Sequence, residues 1–345
     1  MQHNPAPSKV ALVTGCSGFI GYHLCARLLA AGWQVIGVDS LSDYYDVSLK
    51  RRRQDMLAAH DGFQVINAAI ETPNLLMDLF KTHRPAAVFH LAAQAGVRHS
   101  IDAPRSYLTS NIVGTFELLE AARVYPPQHI LLASTSSIYG ANTAMPYRET
   151  DAADHQVSFY AASKKAVEMM AHSYAHLYHL PITAFRFFTV YGPWSRPDMA
   201  PMKFAKAILA NEPIDVYNHG EMRRDFTFVD DLIEAVMRLT LAVPQRPAAG
   251  AVPVAGDSLS PVAPFRVVNI GNSRPVPLLD FIAAMERALG AKAQLNLLPM
   301  QAGDVAATWA DTRLLQALTG YAPSTDLDTG LAAFANWYRG YRKNA

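Results

Sequence analysis

The sequence predicts an α/β fold, a doubly wound parallel sheet followed by a smaller, mostly helical C-terminal lobe. Two observations carry that expectation. Short apolar strands alternate with helical patterns up to about Tyr191, the rhythm of a parallel sheet with crossover helices on both faces. In addition, Gly15, Gly18 and Gly21 follow the apolar run Val10-Ala11-Leu12-Val13 and open an amphipathic stretch through Leu29. That is the strand, turn and helix order of a Rossmann-type unit.

Strands are expected at residues 9–14, 34–39, 64–67, 87–91, 129–134 and 182–188. After Pro193 the rhythm changes to helical patterns near 202–209, 230–241, 278–289 and 329–338, with brief strands between them. The chain is therefore divided at 1–192 and 193–345, some segments of the second part returning to the first. Residues 244–264, rich in Pro, Ala, Gly and Val and nearly uncharged, show neither helical nor strand period. They are expected to form an exposed, mobile loop.

With 345 residues, half of them hydrophobic, the chain can bury a sizeable core. Its net charge of +1 gives no nucleic-acid signal. The one dense basic run, Lys50-Arg51-Arg52-Arg53, reads as a solvated helix face. The two cysteines, Cys16 and Cys25, lack metal-site spacing, so no metal is expected and a reduced setting is the default. Residues 1–8 are polar, and no apolar run reaches the roughly twenty residues that cross a bilayer. The expectation is a soluble cytoplasmic protein without a membrane partner.

Ligands of doubly wound sheets sit beyond the carboxyl ends of the strands, so the segments after Thr14, Asp39, Leu91, Ser134 and Phe188 should converge on one cleft. The glycine spacing allows a tight turn and close approach of a pyrophosphate to the backbone at Gly15, Gly18, Phe19, Ile20 and Gly21. Asp39 closes the second expected strand, where a carboxylate accepts hydrogen bonds from free ribose hydroxyls and repels a 2′-phosphate. NAD is thereby favoured over NADP.

Tyr160 and Lys164 are four apart in an expected helix over 160–178, so they share a face. A free tyrosine, with a pKa near 10, is a poor base at neutral pH, but an adjacent ammonium and a nicotinamide cation favour the phenolate. Taken alone, the spacing equally suits a surface Tyr and Lys on an amphipathic helix. The run Ser134-Thr135-Ser136-Ser137 at the end of an expected strand tips the balance. Thr135 can hydrogen-bond a reacting oxygen while Tyr160 exchanges its proton.

Together with His90-Leu91-Ala92-Ala93-Gln94, the run from Arg186 to Gly192, and Arg223-Arg224-Asp225-Phe226, these residues resemble extended short-chain dehydrogenase/reductases of the sugar-nucleotide epimerase/dehydratase kind. The resemblance spans nearly the whole chain. Longer strings, Asp43-Tyr44-Tyr45-Asp46-Val47, Ala95-Gly96-Val97-Arg98-His99-Ser100, the run from Gly192 to Met199 and Val216-Tyr217-Asn218-His219-Gly220, are most similar to the UDP-glucuronate 4-epimerases.

The resemblance implies that Leu91, Ala92 and Ala93 face NAD, that Arg224 and Asp304 hold the phosphates and ribose of UDP, and that Val216 and Tyr217 line the uracil side. It also implies a homodimer through helices at 111–123 and 160–178, whose apolar residues and histidines on several faces suit cover on both sides. The chain departs from relatives at Ala68-Ala69-Ile70, where they carry an adenine-binding aspartate, and at Gln301, where galactose-type epimerases carry arginine.

Dehydratases of this kind place an Asp-Glu pair after the active-site threonine, and the related decarboxylases tend to carry glutamate at the second place. Ser136 and Ser137 stand there instead, and without a carboxyl group elimination loses its acid. Oxidation at C4 followed by re-reduction on the other face remains. Arg196 and Thr189 are expected around the C6 carboxylate, since a guanidinium can hold a carboxylate through two parallel hydrogen bonds. A surface or interface ion pair is the competing reading of Arg196. The rival functions are 4-epimerisation of UDP-glucose or UDP-N-acetylglucosamine and, from another class, a cofactor-binding sensor without catalysis.

Overall fold

The computed structural model describes residues 9–248, 254–301 and 304–343. Six strands precede Thr189: β1 (Val10–Thr14), β2 (Gln34–Asp39), β3 (Phe63–Asn67), β4 (Ala87–His90), β5 (His129–Thr135) and β6 (Ile182–Phe187). A seventh, Phe265–Ile270, comes from late in the chain. They form one parallel sheet in the order Phe265–Ile270, β6, β5, β4, β1, β2, β3. β4 and β5 are buried along their whole length, because helices cover both faces of a parallel sheet and its strands read as continuous apolar runs. The order reverses between β1 and β4, opening the crevice in which such sheets bind ligands.

Several strand ends differ from expectation by one residue, and two of these matter. β4 stops at His90, leaving Leu91 to turn away, and β5 continues through Thr135. β6 ends at Phe187 because the chain crosses to a second sheet: Thr189–Tyr191 pairs with Arg223–Phe228. That strand is also flanked by Pro275–Pro277 and Ala307–Thr308.

Helices Val229–Leu239, Leu278–Leu289 and Leu327–Lys343 pack with the first helix, α1 (Phe19–Ala30), around one large apolar cluster. Phe226 and Phe281 stack within it at 4.1 Å. A second cluster fills the other face of the sheet, beneath helices Leu75–His83, Gly114–Val124 and Phe159–Tyr178. The helix expected at 111–123 is a π-helical turn, Leu108–Val113, running into Gly114–Val124. The catalytic-candidate helix starts at Phe159, capped by Ser158, whose hydroxyl accepts from the Ala161 N–H at 3.1 Å. No helix among the described residues is long and apolar enough to cross a membrane.

Two expectations are corrected. The basic run is a solvated face only in part: Arg51 is exposed, whereas Lys50 and Arg53 are buried. They lie on the inward face of α2 (Val47–Ala58) with Gln54 and Leu57, the i, i+3, i+4, i+7 positions of a helix seated on the core. Arg53 donates to the carbonyls of Ser17 at 3.0 Å and Trp194 at 2.6 Å and to the Tyr45 hydroxyl at 2.8 Å. It ties the glycine turn to the start of the second lobe.

The segment 244–264 is not an exposed loop throughout. Residues 249–253 lie outside the described residues. Further on, Asp257 pairs with Arg266 at 2.9 Å, Ser260 meets His172 Nε2 at 2.9 Å, and Ala263 is fully buried. Side-chain partners there replace the periodic backbone pairing that the sequence lacks.

Candidate active site

Gly15 has φ +74°, and a Cβ on Gly21 would stand 2.0 Å from the Gly15 carbonyl oxygen. A Cβ on Gly15 would meet the Ala92 backbone nitrogen at 2.8 Å. The turn is thus closed to other residues. Gly18, the N-cap of α1, offers no side-chain acceptor, and the first turn holds no acidic residue. The first N–H groups of the helix, with its positive dipole end, face the crevice as an anion site. Asp39 is held beside it: Oδ2 accepts from the Ser17 N–H and Oδ1 from the Leu41 N–H, both at 2.9 Å. Each oxygen keeps a lone pair for a ribose hydroxyl. The cradle fits a dinucleotide.

A buried relay sets the strand ends. Thr115 donates to the Asn111 carbonyl at 2.6 Å and so can only accept from His90 Nε2 at 3.0 Å. His90 Nδ1 therefore accepts from Thr14 at 2.8 Å, while the Thr14 hydroxyl takes the Ala92 N–H at 3.2 Å. His90 stays neutral, its pKa lowered to about 3 by burial and by the Lys164 charge. The relay fixes the Leu91-Ala92-Ala93 backbone against the cradle.

On the other side, Lys164 Nζ donates to the Ala133 carbonyl at 3.0 Å. Burial lowers its pKa to about 8, against the pull of Glu168. Tyr160 is pushed up by burial, opposed by a hydrogen bond from Thr135 and by the Arg196 charge. Asn111, unmarked in the sequence, donates to Ser163 Oγ at 2.9 Å, and Ser163 donates to the Tyr160 carbonyl at 2.8 Å. The π-helical turn places this amide between the relay and the catalytic-candidate helix, a use typical of such turns.

One cleft brings together Gly15, Gly18, Phe19, Ile20, Gly21, Asp39, Leu91, Ala92, Ala93, Thr135, Ser136, Ser137, Tyr160, Lys164, Thr189 and Arg196. Ser136, Ser137 and Thr189 also line an adjoining hollow with Arg224 and Asp304. Lys50, Tyr44 and Glu71 line the main cleft as well. The helical phase of α2 carried the signal for Lys50, Tyr44 stood in a string singled out for its resemblance without a role of its own, and nothing local marked Glu71.

Val216 is fully buried in the apolar core. Its strand, Pro213–Val216, alternates out and in, and position 216 falls inward. Tyr217 lies beneath the Arg98 guanidinium at 4.7 Å, and Arg98 pairs with Asp304 at 3.0 Å. Arg196 lines the cleft and is paired with Asp198 through Nε at 3.0 Å and Nη2 at 2.5 Å.

The family described as NAD dependent epimerase/dehydratase matches residues 11–254. A probable UDP-glucuronate 4-epimerase of Rhizobium meliloti (strain 1021) is 49% identical over 333 residues, covering 96% of this chain and 98% of that protein. The crystal structure of UDP-glucuronic acid 4-epimerase from Bacillus cereus, in complex with UDP-glucuronic acid and NAD, superposes with a TM-score of 0.85 at 32% identity. It covers 96% of this chain and 99% of that one. The UDP-glucose 4-epimerase of Thermotoga maritima, with UDP-glucose, gives 0.82 at 28% identity, covering 96% and 99%. The chain belongs to the NAD dependent epimerase/dehydratase family.

Proposed function

We propose that the protein interconverts UDP-glucuronate and UDP-galacturonate by epimerisation at C4. The observation that carries this reading is the joining, in one cleft, of the Tyr160–Lys164 pair with Thr135, two serines in place of carboxylic acids, and Arg196. Bound in the glycine cradle beside Asp39, NAD supplies a hydride acceptor that returns the hydrogen to the opposite face of C4. Tyr160 removes the C4 hydroxyl proton and later gives it back, with Lys164 favouring the phenolate and Thr135 steadying the oxygen. Arg224 and Asp304 in the adjoining hollow retain the UDP end while the 4-keto sugar turns. Ser136, Ser137 and Thr189 surround the hexose without a charge that would repel an acidic sugar.

The test is to incubate the purified protein with UDP-glucuronate or UDP-glucose, with added NAD or NADP, and separate the products. UDP-galacturonate should form, supported by NAD and not by NADP. A second reading, epimerisation of UDP-glucose or UDP-N-acetylglucosamine, draws support from the pairing of Arg196 with Asp198. Faster turnover of UDP-glucose would establish it in place of the first. A charge-assisted bond contributes about 1.5–3 kcal/mol, so Arg196→Ala should lower the preference for the acid sugar about ten- to a hundredfold.

We further propose a homodimer built on helices Gly114–Val124 and Phe159–Tyr178. Phe116, Met169 and Leu177 stand exposed on those helices, and Leu108 and Val113 on the π-helical turn leading into the first, apolar side chains that a second copy would cover. Light scattering at micromolar concentration should give twice the chain mass, and a single-chain mass would refute it. A cytoplasmic setting is supported by the free thiols of Cys16 and Cys25, and cell fractionation checks it.

A further inference from the structure

We infer that Asp198 and Tyr44 form a built-in bracket that aims the guanidinium of Arg196 at the sugar's C6 carboxylate, making Asp198 a specificity-determining positioning residue. The inference rests on the functional reading above and deepens it.

Arg196 offers two forks to a carboxylate, one from Nε and Nη2 and one from Nη1 and Nη2. Asp198 occupies the first, with Nε to Oδ1 at 3.0 Å and Nη2 to Oδ2 at 2.5 Å. Nη1 makes no ion pair with a carboxylate among the described residues, and the residue lines the cleft with Tyr160 and Thr189. The Asp198 carboxylate is itself anchored from the cofactor side, for the Tyr44 hydroxyl donates to Oδ2 at 3.2 Å. The Tyr44 ring lies 5.8 Å from the Arg196 guanidinium carbon, within cation–π reach.

Tyr44 in turn is seated against Gly96, which has φ +106°, and a Cβ there would stand 2.7 Å from the Tyr44 hydroxyl. Gly96 thus backs Tyr44, and Tyr44 and Asp198 together flank one arginine. Burial disfavours the Asp198 carboxylate, yet the Arg196 hydrogen bonds and charge outweigh it and its pKa falls below the ordinary value. Burial likewise opposes the Arg196 cation, and Asp198 more than restores it. Each group thus holds the other in its charged form.

The bracket also bears on the fate of the intermediate. A 4-keto uronate is a β-keto acid: if C5–C6 breaks, carbon dioxide leaves, the electron pair forms the C4–C5 enolate, and water protonates it to a UDP-4-keto-pentose. Holding the carboxylate end-on by a fixed guanidinium opposes that loss.

The experiment uses the NAD-loaded protein and UDP-glucuronate. In Asp198→Asn, KM should rise about tenfold, the size of one charge-assisted hydrogen bond, with kcat falling less than KM rises. The share of 4-keto pentose among the products should increase several-fold. Calorimetric binding of UDP, which lacks the carboxylate, should stay within about twofold, a separation that a general loss of structure would not produce. Tyr44→Phe removes only the anchor and should move KM and product share the same way by less, and it decides the matter if Asp198→Asn melts below the assay temperature. A KM and a product share both unchanged in a competent protein overturn the bracket alone. A lower KM also overturns it, since Asp198 would then be a competitor for Arg196. If the parent protein does not turn over UDP-glucuronate at all, it is the functional reading that fails.

Discussion

Tyr160→Phe is expected to lower turnover by about a hundredfold or more while leaving NAD binding and the melting temperature close to those of the parent. The substitution deletes one oxygen and keeps the ring, which meets Tyr107 edge-on at 6.0 Å. The proton shuttle is lost and the packing is kept. Burial alone leaves less of Tyr160 as phenolate at neutral pH than of a free tyrosine, because it pushes the phenol pKa up. The phenolate must therefore be drawn out by positive charge at the site: Arg196 already pulls the pKa down, and the ammonium of Lys164, one helical turn on, is expected to add to it. Lys164→Met should accordingly fall to a similar level through the same step. Product separation after incubation with UDP-glucuronate measures both, and a Tyr160→Phe variant running near the parent rate would remove Tyr160 from the mechanism.

What was legible in the sequence was what is local. The glycine turn, Asp39, Thr135 and the Tyr160–Lys164 pair each follow from neighbours within a few residues, and each lines the cleft. The seven-stranded sheet was legible in six of its strands. The seventh, Phe265–Ile270, is a short apolar run after an aperiodic stretch, and only pairing with β6 makes it a strand. Contacts that join distant segments left no local mark. Tyr44 meets Asp198 across 154 positions and Asn111 meets Ser163 across 52. Lys50 and Arg53 were misread because charge was weighed ahead of helical phase, although positions 50, 53, 54 and 57 spell an inward face.

Glu168→Gln should destabilise the protein by about 3–5 kcal/mol, the usual cost of leaving one buried ion without its partner. Glu168 and Arg186 are almost wholly shielded from water, their side chains 0% and 4% exposed. Arg186 donates through Nε at 3.0 Å and Nη2 at 2.8 Å, and Ser134 donates to the same carboxylate at 2.7 Å. The guanidinium carbon lies 4.7 Å from the Tyr139 ring centroid. A glutamine can accept one of these bonds but brings no charge, so the guanidinium stays cationic in a low-dielectric site and must be solvated by local opening. Denaturant titration measures the loss, and a change below about 1 kcal/mol would show that the pair contributes nothing beyond packing. Replacing both partners, Glu168→Leu with Arg186→Met, should recover most of the loss, because it removes the uncompensated charge along with the pair. The single variant also reaches the chemistry. Glu168 lies one helical turn beyond Lys164 and holds its pKa up against burial. Neutralising it lowers the Lys164 pKa below about 8, so the ammonium that supports the Tyr160 phenolate disappears at lower pH. The alkaline limit of turnover should then move toward neutrality in Glu168→Gln, and an alkaline limit that stays in place would separate the ion pair from catalysis.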